Sequence, residues 1–268
     1  MSKYYSHTKL DVARKCMLMY KFQYVDKIKI DGDTAASDFG SLIHGIAEEY
    51  KGGGKIELLA LYHKGIETYK LTDFYKAKVP LALQNVHEYW KAILANEEVV
   101  KEVKHESDIT VPLNETLTLN GKIDIVIEQK NGRFRIVDYK TNKSNAYANH
   151  NNQLSMYMLM LNKKYGIPYD KMDCEVVYLA MDAENKKGDK IKNSGYDNIS
   201  KIYKLEECDV ECLISEIETI DKAIEKSIAK NEWKARPGKF ACTYCPFNPL
   251  CDKKWVPESN LTEVKHHS

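Results

Sequence analysis

The chain lacks any apolar run approaching 18 residues, so no membrane-spanning helix is expected. Its first residues, MSKYYSHTKL, lack the apolar core of a secretory signal. It carries almost no net charge: 40 Lys and Arg against 39 Asp and Glu give +1 at pH 7. A global positive field is therefore absent, and a nucleic-acid partner would have to be met by local basic patches. No Walker-type phosphate loop occurs, which excludes an ATP-driven motor. There is no internal repeat, no low-complexity tract and no interior linker long enough to separate domains, so residues 1–268 are expected to form a single domain. Apolar residues make up 43% and charged residues 29%, enough for a globular core. A cytoplasmic, reducing setting is expected. In it, seven cysteines point to metal or cluster ligation by some of them, and not to a disulfide framework.

The richest stretch runs from Asn120 to Asn142, NGKIDIVIEQKNGRFRIVDYKTN. It reads as two strands and a tight turn. Ile123, Ile125 and Ile127 alternate with Asp124, Val126 and Glu128. Asn131-Gly132 is a hairpin signal, since both residues tolerate positive φ. The second strand, from Phe134 to Tyr139, is mostly apolar and ends in charge. Asp124 and Asp138 then lie on paired strands, and Lys140 shares the face of Asp138. Two carboxylates within reach of one divalent cation, with a lysine aimed at the same spot, suit metal-assisted phosphodiester hydrolysis. Lys130, Arg133, Arg135, Lys140 and Lys143 surround the hairpin. They supply a local basic patch, or simply guard a sheet edge against aggregation.

The flanks read mainly as helices. A helix over residues 6–24 carries Cys16 in its apolar stripe, where a small core residue is the plain interpretation. A second, from Ser37 to Tyr50, ends before Gly52-Gly53-Gly54. On it Gly40, His44 and Glu48 are four apart and share one face, a weak metal-site pattern beside a glycine that permits close approach. Residues 55–96 read as helical, broken near Thr72 or Pro80. Their aromatic residues (Tyr62, Tyr69, Phe74, Tyr75, Tyr89 and Trp90) suit either helix packing or stacking on unpaired bases. A single strand is expected over residues 98–113. Glu106 within it is either near the cation or on a solvated face. A helix over 146–165 holds Asn149 and puts Gln153 and Tyr157 on one face, with Leu154, Met158 and Leu161 on the buried one. A buried strand over 173–181 holds Cys174 as plain core. A polar loop over 183–198, a short strand over 199–205 and a helix over 206–231 follow. Cys208 and Cys212 sit on the first turns of that helix, four apart, a spacing that weakly permits metal binding.

The C-terminal segment changes character. KARPGKFACTYCPFNPLCDKKW has little periodicity and holds Cys242, Cys245 and Cys251 as C-x2-C-x5-C. Such density in an irregular segment is a strong ligand signal. No fourth local ligand is in range, and Cys16 is the natural candidate to supply it. Four thiolates suit either a 4Fe–4S cluster or zinc.

Taken in order, these motifs resemble the RecB-like branch of the PD-(D/E)XK nuclease superfamily, and in particular its iron–sulfur members, the AddB-type and CRISPR-associated RecB-like exonucleases. Residues 40–48, GSLIHGIAE, resemble the family's helical histidine motif. GKID at 121–124 resembles its G-x-x-D motif, and Asp138-Tyr139-Lys140 its D-x-K motif. Gln153 and Tyr157 fit Q-x-x-x-Y, and Cys16 with Cys242, Cys245 and Cys251 fits the split cluster. The proline that precedes the first Asp in the wider superfamily is Ile123 here, as is common in this branch.

The resemblance implies a restriction-endonuclease-like α/β fold: a mixed central sheet of four or five strands flanked by helices, with a helical N-terminal region and a Cys-rich C-terminal segment. It implies that Asp124, Asp138 and Lys140 are catalytic. His44, Asp124, Asp138 and the Tyr139 carbonyl would hold Mg²⁺ or Mn²⁺, and Gln153 and Tyr157 would position DNA. It favours a 4Fe–4S cluster over zinc. The implied activity is that of a DNA exonuclease on single strands or duplex ends, in recombination, repair or phage DNA metabolism, with a recombination or helicase partner. The competing expectation is a nucleic-acid-binding subunit of a recombination or CRISPR-adaptation complex with little cleavage of its own.

Overall fold

The computed structural model describes residues 3–30, 32, 34–95, 100–104 (backbone), 108–142, 150–180 and 199–253. Contacts divide the chain into two compact units, one of Met1–Tyr4 with Asp33–Leu213 and one of Tyr5–Gly32 with Ile214–Ser268. The strands are β1 (Lys3–Tyr5), β2 (Val100–Lys104), β3 (Asp108–Pro112), β4 (Leu117–Lys122), β5 (Ile125–Gln129), β6 (Phe134–Lys140), β7 (Met172–Tyr178) and β8 (Ser200–Tyr203). The helices are α1 (His7–Lys15), α2 (Met17–Tyr20), α3 (Ala35–Glu49), α4 (Gly54–Ile66), α5 (Asp73–Lys76), α6 (Val79–Leu94), α7 (Asn151–Tyr165), α8 (Glu207–Lys230) and α9 (Lys239–Thr243).

In the first unit a five-stranded mixed sheet has the order β2-β5-β6-β7-β8. Strands β6 and β7 are parallel, and the other pairs are antiparallel. A parallel pair needs a crossover, which α7 supplies. This is the mixed α/β sheet expected from the motifs. The sequence reading did not foresee a second, three-stranded sheet of order β1-β4-β3. The single strand expected over 98–113 is two strands, β2 in the larger sheet and β3 in the smaller, and the side chain of Glu106 lies outside the described residues. Pro112 ends β3 on an edge, where its missing N–H costs no ladder bond.

The β5–β6 hairpin is central, with neighbours on both sides, and is not an edge hairpin. Its turn also differs from the expectation. Gly132 has φ +77°, but Asn131 is not among the residues with positive φ. The Gly132 amide donates to Gln129 O at 3.0 Å and the Gln129 amide to Arg133 O at 2.9 Å, so a tight turn closes on one left-handed glycine. Asn131 acts through its side chain, whose Oδ1 accepts from the Arg133 amide at 3.0 Å.

One face of the sheet packs on α3 and α6. Phe39, Leu42, Ile43, Ile46 and Ala47 form the apolar stripe of α3, and they share a core with Val86, Tyr89, Trp90 and Ile93 of α6 and with Ile125, Ile127, Val137 and Tyr139. Pro80 sits in the first turn of α6, where its missing N–H is harmless, so the helical break falls over residues 67–72. Most of the expected aromatic residues are packing groups: Tyr89 and Trp90 are buried, and Tyr62, Tyr69 and Tyr75 lean on the same core. Helix α7 meets both β6 and β3. That explains why Leu154 through Leu161 are all buried, where a single apolar face was expected. Gly166, at φ +70°, caps its end.

The second unit is held by its own contacts. The helix expected over 6–24 breaks at Cys16, whose φ of −164° is extended, and a π-helical turn over Lys21–Val25 follows α2. Arg14 forms a forked pair with Glu216 at 2.7 and 2.9 Å. The Tyr5 hydroxyl donates to buried Asp221 at 2.8 Å. Tyr20 stacks on Trp233, and Phe22 packs on Phe247. Among the described residues, no helix is long and apolar enough to cross a membrane.

Candidate active site and cysteine site

Asp124 stands where the chain leaves one sheet for the other, between the end of β4 at Lys122 and the start of β5 at Ile125. The β5–β6 ladder ends at Ile125 opposite Val137, which leaves the Tyr139 amide without a strand partner on that side. Asp124 Oδ2 accepts that amide at 2.7 Å. Asp124 Oδ1 lies 3.2 Å from His44 Nδ1, on α3. Gly40, one turn earlier, lets α3 approach: a Cβ there would stand 3.3 Å from Thr141 Oγ1.

Asp138 is the buried half of the site, 2% exposed. Its Oδ1 accepts from Gln153 Nε2 at 2.8 Å and, more loosely, from the Tyr157 hydroxyl at 3.5 Å. Its Oδ2 has no partner of hydrogen-bond geometry, although Lys140 Nζ lies 2.5 Å away as an ion pair. Gln153 ties the set together, because its Oε1 accepts from Lys140 Nζ at 2.9 Å and its Nε2 also reaches the Tyr157 oxygen at 2.7 Å. The structure thus brings His44, Asp124, Tyr139, Asp138, Lys140, Gln153 and Tyr157 into one connected network.

The electrostatics follow from burial. Burial pushes the Asp138 carboxyl up to about 6, against the pull of the Lys140 ammonium and with the help of Asp124. Burial pulls the His44 imidazole down. The hydrogen bond to Asp124 and the charges of Asp124 and Asp138 outweigh it, so the net shift is upward. Burial also holds the Tyr157 phenol well above its ordinary value, so it stays a hydroxyl donor.

Of the rest of the expected basic patch, Arg133 and Arg135 are spent internally and Lys130 is exposed. Arg133 makes a forked pair with Asp173 at 2.7 and 3.0 Å, and Arg135 pairs at 3.4 Å with fully buried Glu175. Lys143, Asn149 and the loop over 183–198 lie outside the described residues. Glu48 pairs with Lys122 Nζ at 2.5 Å. Two residues beside Lys140 escaped the sequence reading. His150 and Tyr178 approach each other at 3.2 Å, and burial with the charges of Lys140 and Lys201 lowers the His150 imidazole. Tyr178 pairs with Lys140 in the β6–β7 register, which was a signal once Lys140 was in hand.

In the second unit Cys16, Cys242, Cys245 and Cys251 line one cavity of about 380 Å³. None of the four forms a disulfide, and all are half-buried. Burial raises the Cys245 thiol, against a hydrogen bond from the Phe247 backbone, and the nearby Cys16, Cys242 and Cys251 add to the rise. Cys242 Sγ accepts from the Gly238 amide at 3.5 Å. Cys208 and Cys212 are exposed on α8 and do not line this cavity, and Cys174 is buried as plain core, its thiol pushed up to about 12 by burial.

Among the described residues, no three His, Cys, Asp or Glu side chains converge in a cation-holding arrangement. At the acid site Asp124 lies beside the His44 imidazole, and Asp138 is paired with the Lys140 ammonium. In type the donors still fit. Hard oxygens with one imidazole suit Mg²⁺ or Mn²⁺, and Asp138 Oδ2 is buried with the Lys140 ammonium beside it. Four thiols at one cavity suit iron–sulfur or zinc.

A family model described as the PD-(D/E)XK nuclease superfamily matches residues 4–252. Among solved structures, a protein from Eubacterium rectale named "Putative exonuclease" is 13% identical, with a TM-score of 0.53 over 98% of this chain and 94% of that one. The protein SSO0001 is 14% identical, with a TM-score of 0.42 over 96% and 89%. No curated protein matches the chain.

Proposed function

The chain belongs to the PD-(D/E)XK nuclease superfamily, and we propose that it is a Mg²⁺- or Mn²⁺-dependent DNA exonuclease acting on single strands or duplex ends. The observation that carries this is the pair of adjoining sets in which Gln153 binds Asp138, Lys140 and Tyr157 while Asp124 accepts the amide of Tyr139, next along the strand. A module that only binds nucleic acid has no use for a buried carboxylate paired with a lysine beside a second carboxylate.

Asp124, Asp138, His44 and the Tyr139 carbonyl would hold the cation. When bound, such a cation polarises the scissile phosphate and lowers the pKa of the attacking water. Lys140 orients that water or offsets the charge growing on the phosphate oxygens. Gln153 fixes the Lys140 ammonium, and Tyr157 with Gln153 sets the rotamer of Asp138 and flanks the DNA backbone. The similarity to a solved protein named as an exonuclease agrees with action from ends. Cys16, Cys242, Cys245 and Cys251 would hold a 4Fe–4S cluster, or zinc, in a structural role.

Two measurements test this. The protein is incubated with 5′- and 3′-labelled single and double strands, and with closed circular single strands, in Mg²⁺ or Mn²⁺. Release of short products from linear strands, with circles untouched, is expected. Cutting of circles removes the exonuclease assignment, and no cleavage of any substrate favours a binding subunit. Anaerobically purified protein should be brown and contain iron. Colourless protein with zinc replaces the cluster, and protein with neither metal refutes ligation.

A further inference from the structure

A cleft of about 610 Å³ opens on the α3 side of Asp124, and its wall includes His44, Glu48, Tyr69 and Lys122. Lys122 ends β4, two residues before Asp124, with its ammonium 2.5 Å from Glu48 Oε1. The pair is only partly shielded, the two side chains being 49% and 22% exposed. As a surface ion pair it adds little to stability. Its position beside Asp124 and His44 gives it another use. Resting on the nuclease reading above, we propose that the cleft is a subsite for one unpaired nucleotide next to the scissile bond. Lys122 is its phosphate-binding residue, Glu48 holds Lys122 until a strand arrives, and the Tyr69 ring is the base platform.

The chemistry is competitive. An incoming phosphate offers Lys122 a second anion, and the Glu48 carboxylate both repels that phosphate and occupies the ammonium. Tyr69 is half-buried, so its ring is anchored by the core while lining the cleft. An aromatic residue and a cation lining one cleft are the elements that bind single strands without base preference.

The opposing roles of the two charges give the test. Binding of a fluorescein-labelled single-stranded DNA oligonucleotide is followed by anisotropy in EDTA across a salt series, so no cleavage is needed. Glu48→Gln is expected to tighten binding several-fold. Lys122→Gln is expected to weaken it several-fold and to reduce the slope of log K against log salt by about 0.7. Lys122→Arg, which keeps the charge, should keep the slope. Tyr69→Leu should weaken binding about tenfold, whereas Tyr69→Phe, which keeps the ring, should not. A merely structural pair predicts that Glu48→Gln and Lys122→Gln act alike or not at all, and that result overturns the proposal. If the wild type binds and degrades DNA while the variants do not diverge, the subsite alone fails. If the wild type binds no strand in EDTA and degrades none in Mg²⁺ or Mn²⁺, the nuclease reading fails with it.

Discussion

Asp138 and its neighbours form a site that is complete in protein terms. The carboxylate is 2% exposed, and Gln153, Tyr157 and Lys140 surround it from a helix and a strand whose backbones are fixed by their own hydrogen bonds. The four thiols of the second unit stand on weaker supports: a helix break at Cys16, a five-residue helix at Cys242 and a short turn before Cys251. Each thiol is only half-buried, and the bonds that tie the C-terminal three are short-range turns, such as Cys245 N to Cys242 O at 3.2 Å and Asn248 Nδ2 to Cys242 O at 2.8 Å. One site carries internal counter-charges for its carboxylates. The other has no internal substitute for a bound metal. The acid site should therefore keep its fold without a cation and lose only chemistry, whereas a cysteine site built on the proposed metal should lose structure when that metal is removed.

The largest expected effect separates chemistry from stability. Asp124→Asn keeps an oxygen for the Tyr139 amide but loses the charge. Cleavage should fall by on the order of 10³-fold, while the thermal midpoint stays near the wild type. A large drop in the midpoint would show that the acid site is also a structural centre. Next, Cys251→Ser should release the metal and cost on the order of 5 kcal/mol of stability, read by denaturant unfolding. Unchanged stability in a metal-free Cys251→Ser protein would erase the contrast between the two sites.

A third effect has the opposite sign. The folded state holds Asp138 at about 6 against an ordinary 3.8, so it keeps a proton that the unfolded chain has released. Stability of metal-free protein must then fall as pH rises between these values and stay lowered above them. Asp138→Asn should stabilise the metal-free protein by on the order of 1 kcal/mol above pH 6, with the gain vanishing near pH 4. His44, raised by its carboxylate neighbours, adds stability below its ordinary value of 6.5 that is lost as pH rises through its higher folded value. A variant less stable than wild type at pH 8 would show that Lys140 depends on the Asp138 charge more than burial opposes it.

These contrasts follow how far each site was legible. The charged end of the second strand placed Asp138 and Lys140 side by side from strand period alone. Asp124, expected on the paired strand, stands instead in the bend between β4 and β5, because where the chain changes sheets depends on remote partners. The Gln153–Tyr157 spacing on α7 was equally local. The break at Cys16 was not, since Val12, Ala13, Leu18 and Tyr20 continue an apolar helical pattern through it and nothing nearby forces an extended residue. The two strands over 98–113 merged into one because their division between two sheets depends on remote partners: β2 pairs with β5, and β3 with β4. The turn at Gly132 kept its glycine but not its type, for the register places Gln129 and Arg133 in hydrogen-bond contact and leaves Asn131 outside the left-handed region. The Glu48–Lys122 pair joins a helix to a strand 74 residues away, a distance no periodicity reports.

The smallest effect calibrates the rest. Gly132 lies at the turn, the opposite end of the hairpin from Asp124 and Lys140, with open space where a Cβ would be but a φ of +77°. Gly132→Ala should cost about 1 kcal/mol of stability and leave the cleavage rate unchanged. A loss of rate here would mean that activity in the first unit tracks stability, contrary to the separation argued above.

The central claim is that Lys140, held by Gln153 and paired with Asp138, serves hydrolysis. The most direct measurement is the initial rate of Mn²⁺-dependent degradation of end-labelled single-stranded DNA by Lys140→Ala beside the wild type, with both proteins shown to be folded by circular dichroism. A folded variant slower by on the order of 10³-fold is the predicted result. A folded variant that degrades DNA at the wild-type rate would contradict the assignment of this site.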